Sequence, residues 1–125
     1  MHSKTYTIFY VADVERSVSF YARLLDIKPN DVFPSFADFR LDNGMFLGLW
    51  STNVVAPAPT LAGGTELALV LATPADVDAA HERWKALGAE IVQEPVDMVF
   101  GRCFCAIDPD GHRIRVMSET VAVAA

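Results

Sequence analysis

The sequence predicts an α+β fold made of two tandem βαβββ units. Three observations carry that reading. One order of segments occurs twice along the chain, in copies of roughly 60 residues. Each copy ends in two apolar runs joined by a glycine turn, Asp42-Asn43-Gly44 in the first and Asp108-Pro109-Asp110-Gly111 in the second. Each copy also holds one segment whose apolar residues recur at helical spacing.

The first copy opens with the strand-like "TYTIFYV" and runs into "ADVERSVSFYARLLDI". Asp13 is placed to cap a helix whose apolar stripe is Val14, Val18, Tyr21 and Leu25. Beyond the prolines at 29 and 34, "SFADFRL" and "MFLGLWS" flank the Asn-Gly turn as a hairpin. The second copy opens with the strand "TELALVLA". Thr73-Pro74-Ala75-Asp76 then supplies a cap, a proline at the first helical position and an early acid. The stripe Val77, Ala80, Trp84 and Leu87 follows, with Gly88 suited to the C-terminal cap. "AEIVQEP", "GRCFCAI" and "HRIRVMS" complete the copy as strands.

At 125 residues the chain suits one domain over 1–125, and neither copy is large enough to bury a good core alone. Unit one is expected at about 5–51, a Pro- and Gly-containing connection at 52–64, unit two at about 65–118 and a flexible tail at 119–125. The 52% hydrophobic content argues for a packed globular protein. No apolar run approaches the roughly 18 residues of a membrane span, and the first ten residues lack the regions of a signal peptide. A net charge of −6 and a pI near 4.8 argue against a nucleic-acid partner. The expected location is the cytoplasm, with no membrane partner.

Alternation assigns faces. Leu67, Leu69 and Leu71 should lie under the second helix, leaving Glu66, Ala68 and Val70 on the other side. Thr7, Phe9 and Val11 should lie under the first helix, with Tyr6, Ile8 and Tyr10 facing away. In the last strand Ile114 and Val116 pack inward, and Arg113 and Arg115 take the opposite face. If Gly111 closes a three-residue bulged turn, Asp108 pairs with His112 and Cys105 lies across from Arg115. His112 is then a turn residue. Cys103 and Cys105 would project from one face with Cα atoms roughly 6.5–7 Å apart, at the edge of disulfide geometry. Reduced, buried thiols fit better, as in a cytosolic protein. A Cys-x-Cys pair alone does not make a zinc site, which takes about four ligands.

The duplicated unit, "FYVADVERSVSFYARLL" and "FGRCFCAIDPDGHRIRV" resemble the vicinal oxygen chelate superfamily of glyoxalases, dioxygenases and bleomycin-resistance proteins. The resemblance extends over about Thr5 to Ser118, and "GLWS" draws it closest to the phenazine antibiotic resistance branch. It implies curved mixed sheets, a concave ligand cleft, and a homodimer whose chains complete each cavity. It also places the metal ligands of enzymatic members at Tyr6, Gly48, Glu66 and Arg115. Glu66 could bind a metal. A tyrosine titrating near 10 is a poor ligand, glycine offers no side chain, and arginine presents only donors. No metal and no cofactor are therefore expected, and no catalytic residue is assigned.

The residues that share a face with these positions suit a different task. Tyr6, Tyr10, Phe46 and Trp50 share one predicted face, which suits a flat conjugated molecule. Phe36 and Phe39 lie on the neighbouring strand, and the turn leaves open which of them joins that face. The candidate ligand-binding residues are Tyr6, Ile8, Phe39, Phe46 and Trp50, with Glu66, Met98, Phe100, Cys105 and Arg115. Arg115 is either an anion partner for the ligand or an internal partner of Glu66. Trp84 reads as core, and Arg102 as a structural hydrogen-bonding residue. The function these residues suggest is non-catalytic sequestration of a planar aromatic antibiotic of phenazine type. The alternatives are a glyoxalase-like lyase or dioxygenase-type metalloenzyme with altered ligands, and a regulatory module with a vestigial pocket. A cysteine nucleophile at Cys105, its pKa lowered by Arg115, also stays open, although no basic partner is evident on that face.

Overall fold

In the computed structural model, which describes residues 4–118, the chain divides into two units between residues 62 and 63. The tail expected at 119–125 lies outside the described residues. No helix among the described residues is long and apolar enough to cross a membrane.

Unit 1 consists of β1 (Tyr6–Val11), α1 (Val14–Leu25), β2 (Asp31–Val32), β3 (Phe36–Arg40) and β4 (Phe46–Ser51). Its sheet runs β1-β4-β3-β2, with β1 parallel to β4 and the other pairs antiparallel. The helix starts where Asp13 Oδ1 accepts the Arg16 amide at 3.0 Å, satisfying one of the orphan donors of the first turn. It ends on Asp26, in the left-handed region at φ 55°. The buried stripe is Val14, Ser17, Phe20, Tyr21 and Leu24. Val18 and Leu25, expected at its centre, flank it at intermediate exposure. The shift arises because two consecutive aromatics, Phe20 and Tyr21, both turn inward and meet edge to face at 5.1 Å. β2 has two residues, too short for an alternation signal, and the sequence reading did not locate it.

The hairpin turn sets the register of this sheet. Leu41 N–H donates to Met45 O at 2.8 Å, and Gly44 N–H to Leu41 O at 2.9 Å, with Gly44 at φ 88°. This is a three-residue loop with glycine in the left-handed position. Arg40 therefore faces Phe46, Phe39 faces Leu47, Asp38 faces Gly48 and Phe36 faces Trp50.

Unit 2 repeats the plan with β5 (Glu66–Leu71), α2 (Pro74–Ala86), β6 (Glu90–Met98), β7 (Gly101–Ile107) and β8 (Arg113–Ser118), in sheet order β5-β8-β7-β6. Thr73 Oγ1 accepts the Asp76 amide at 3.1 Å to start α2. Gly88 at φ 87° ends it: Gly88 N–H donates to Lys85 O and Ala89 N–H to Trp84 O, both at 3.0 Å. Val77 and Trp84 are buried as expected, but the next inward position is His81, while Leu87, beyond the last turn, is exposed. His81 and Trp84 both meet Phe104 edge-on, at 5.3 and 5.4 Å. β6 carries Pro95 and two register shifts, as the sheet edge permits.

The second hairpin has the same loop as the first. Asp108 N–H donates to His112 O at 2.9 Å and Gly111 N–H to Asp108 O at 3.0 Å. Cys105 accordingly pairs with Arg115. Leu67 is buried, and Glu66, Ala68 and Val70 are exposed, so the faces of β5 fall as alternation required.

Candidate ligand-binding site

The face of unit 1 turned away from α1 carries Tyr6, Ile8 and Tyr10 from β1, Phe36 and Asp38 from β3, and Phe46 and Trp50 from β4. Tyr6, Phe36, Phe46 and Trp50 all keep intermediate exposure. Their rings form a chain of contacts: Trp50 meets Phe36 edge to face at 6.4 Å, Phe36 lies 6.5 Å from Tyr6, and Tyr6 lies 5.0 Å from Phe46. Lys4 Nζ sits 4.6 Å from the Phe46 centroid and 5.3 Å from that of Tyr6, within cation–π range. Gly48 makes room for this arrangement. A Cβ there would lie 3.1 Å from Phe36 Cε1 and 3.3 Å from Ile8 Cγ1, so the Phe36 ring rests against bare backbone.

Phe39 is not on this face. It is fully buried, opposite Leu47 on the helix side, and Phe36 takes the place the sequence reading gave to it. The reason is the three-residue turn, which puts even-numbered β3 residues opposite Gly48 and Trp50. Asp38 was missed altogether. Only 1% exposed, its carboxylate accepts from Tyr6 Oη at 2.8 Å, from Asn30 Nδ2 at 3.1 Å and from the Asp31 amide at 3.1 Å. The turn logic that placed Cys105 against Arg115 would have found both residues.

Unit 2 presents a cavity of about 350 Å³ lined by Glu66, Ala68, Met98, Phe100, Arg115 and Met117. Of the candidate residues, Glu66, Arg115, Met98 and Phe100 stand together here, joined by Ala68 and Met117, which carry no polar signal in the sequence. Arg115 donates from Nε and Nη2 to the two Glu66 oxygens at 2.5 and 3.1 Å, and from Nη1 to Gln93 Oε1 at 2.8 Å and Cys103 Sγ at 3.5 Å. Those bonds hold the Glu66 carboxyl below the usual glutamate range against the opposing effect of burial, with the charges of Arg115 and Arg113 adding to the shift. The same pairing raises Arg115 further above its ordinary value. Arg115 is thus engaged by Glu66 rather than left free to meet an anion.

Both cysteines are free and buried. Cys103 Sγ lies 3.5 Å from Met98 Sδ and 3.7 Å from Gln93 Oε1. Burial pushes the Cys105 thiol up, and the neighbouring Arg115 does not offset it. That is opposite to what a nucleophile needs, and Cys105 does not line the cavity. Arg102 bonds Asp78 at 2.7 Å and Asp97 at 3.1 Å, a structural role.

A helix packed on one face of a four-stranded mixed sheet, built twice, with aromatic and charged side chains on the opposite faces, defines a duplicated βαβββ scaffold. Residues 5–116 match the model of the Glyoxalase/Bleomycin resistance protein/Dioxygenase superfamily, and the chain belongs to that superfamily. It is 34% identical over 112 residues to the phenazine antibiotic resistance protein EhpR of Enterobacter agglomerans, covering 87% of this chain and 86% of that one. The solution NMR structure of a protein from Agrobacterium tumefaciens is similar at 42% identity with a TM-score of 0.86, over 96% of this chain and 99% of that one. A glyoxalase/bleomycin resistance protein/dioxygenase from Nocardioides is similar at 27% identity and TM-score 0.80, over 95% and 84% of the two chains.

The residues at the four positions corresponding to metal ligands do not fit a divalent metal. Tyr6 donates its hydrogen to Asp38, and Gly48 lies under the Phe36 ring. Glu66 is held by a guanidinium on both oxygens. Among the described residues no three His, Cys, Asp or Glu side chains gather as a metal would require.

Proposed function

We propose that the protein binds and sequesters a planar aromatic small molecule of phenazine type without transforming it, and so acts in antibiotic resistance. The observation that carries this reading is the set of four half-exposed rings on one sheet face of unit 1. Rings that served only the core would lie under α1, as Phe9 and Phe39 do. A stacked aromatic ligand gains apolar burial and ring–ring contact there. The likeness to a phenazine antibiotic resistance protein supports the choice of ligand. Within unit 2, the cavity lined by Met98, Phe100 and Met117 offers adaptable apolar surface of its own. The working form in this reading is a homodimer in the cytoplasm; in its support, β1 and β5 end their respective sheets and the two cysteines are free.

The test uses Trp84→Phe protein, which leaves Trp50 as the reporter. Phenazine-1-carboxylate should quench Trp50 emission and be recovered unchanged by chromatography. Trp50→Ala, measured by calorimetry because it removes the reporter, should weaken binding by roughly 5- to 150-fold, the worth of one stacked ring. Binding that survives Trp50→Ala with full affinity would overturn the reading, as would a ligand recovered chemically altered. Sedimentation at micromolar concentration should give twice the 13.7 kDa chain mass.

A further inference from the structure

We infer that Tyr6 is a fixed hydrogen-bond acceptor on the aromatic face of unit 1, set by the buried Asp38, and that this face therefore selects planar aromatics carrying an O–H or N–H donor. The inference rests on the aromatic-binding reading above and adds the polar feature the ligand must bring. Asp38 has three donors aimed at its carboxylate, which therefore serves as the acceptor in each of these bonds. Asn30 and the Asp31 amide occupy Oδ1, so Oδ2 is left for Tyr6. A tyrosine hydroxyl has one hydrogen, and here it is spent on Asp38 at 2.8 Å. Asp38 is 1% exposed, so no water competes for that hydrogen, whereas Tyr6 itself stays half-exposed. What Tyr6 can offer a ligand is a lone pair, strengthened by the hydrogen bond it already donates. Phe36 and Phe46 beside it offer no polar group at all. A ligand that presents only an acceptor to Tyr6 meets a lone pair with a lone pair.

The experiment compares 2-hydroxyphenazine with 2-methoxyphenazine by calorimetry, at a pH where the hydroxyl is un-ionised. The rings match, and one of the two lacks the donor. Wild-type protein should bind the hydroxy compound about fivefold more tightly, the worth of one neutral hydrogen bond. Tyr6→Phe should bring the ratio to about one. Asp38→Asn provides the second arm. Its carbonyl keeps Asn30 and the Asp31 amide, its NH₂ donates to Tyr6 oxygen, and the Tyr6 hydrogen is released toward the ligand. The ratio should then fall to one or below, because the hydroxyl and the ether can both accept. Binding of both compounds without a preference overturns this inference and leaves the aromatic-binding reading standing. Binding of neither overturns both. A preference that persists in Tyr6→Phe overturns the assignment to Tyr6.

Discussion

Replacing Arg115 with Met should cost stability by an amount that depends on pH in a defined direction. The methionine keeps the apolar stem and removes the guanidinium. Glu66 then loses two hydrogen bonds, at 2.5 and 3.1 Å, and Gln93 loses one at 2.8 Å. Arg115 is 16% exposed and Glu66 33%, so the pair lies between the surface and buried cases. Exposed pairs are worth up to about 1 kcal/mol, and breaking buried ones costs roughly 3–5 kcal/mol. Because the orphaned carboxylate can turn to water from the edge strand β5, the expected loss at pH 7 is about 1–2 kcal/mol. Glu66→Gln strands the more buried partner and should cost at least as much. Arg115 holds the folded-state pKa of Glu66 below its unfolded value, so the pair's stabilisation is complete at neutral pH. It fades as pH falls from about 4.3 through the folded value. Urea unfolding at pH 7 and pH 3 reads the gap between wild type and Arg115→Met, which should shrink on acidification. A gap equally wide at both pH values would refute the assignment of this stability to the Glu66 ion pair.

The two phenylalanines of β3 should separate cleanly. Phe39→Ala should destabilise by about 3–5 kcal/mol, as core phenylalanines do, and Phe36→Ala by much less while weakening aromatic ligands; equal losses in thermal unfolding would contradict the register. Gly48→Ala should displace the Phe36 ring by a few tenths of an ångström at a cost of roughly 1 kcal/mol, the low end for overpacking, because Phe36 and Ile8 are partly exposed. The double variant with Phe36→Leu should recover most of that loss, and no recovery would mean another neighbour bears the strain. Cys105 should alkylate far more slowly with iodoacetamide in the folded protein at pH 8 than in urea, since burial both covers the thiol and raises its pKa. Mass spectrometry of Cys105 peptides showing equal rates would contradict this.

The repeat, the caps at Asp13 and Thr73, and the second hairpin register were legible because each rests on local chemistry. A side-chain oxygen satisfies a helix-end amide, and a left-handed glycine closes a loop. β2 was not legible, since two residues cannot alternate. The α1 stripe was read a few tens of degrees off, because consecutive Phe20 and Tyr21 widen the apolar arc beyond a single row. His81 was passed over as polar, although its ring packs on Phe104 and its Nε2 lies 2.7 Å from Glu94 Oε2. Asp38 was hidden for the same reason. A charged residue between Ala37 and Phe39 reads as solvated, and its burial depends on donors from Tyr6 and Asn30 elsewhere in the chain.

The two units reach one outcome by different chemistry. In each, the positions corresponding to metal ligands are engaged by the chain's own groups: Tyr6 by Asp38 and Gly48 by the Phe36 ring, Glu66 by Arg115. The second engagement is the harder to reverse. A divalent ion on Glu66 would stand roughly 4 Å from a guanidinium that cannot lose its proton, and two charges against one at that distance repel by about 8 kcal/mol at an effective dielectric constant of about 20. The carboxylate would also give up its bonds to Arg115. Against that barrier, one carboxylate supplies too few donors for a hard cation, which takes six or more oxygens. Arg115 therefore keeps Glu66 ionised and at the same time closes it to metals. What these faces still present is uncharged, half-exposed rings in unit 1 and two thioethers in unit 2, the surface on which the proposed binding of a flat aromatic molecule rests.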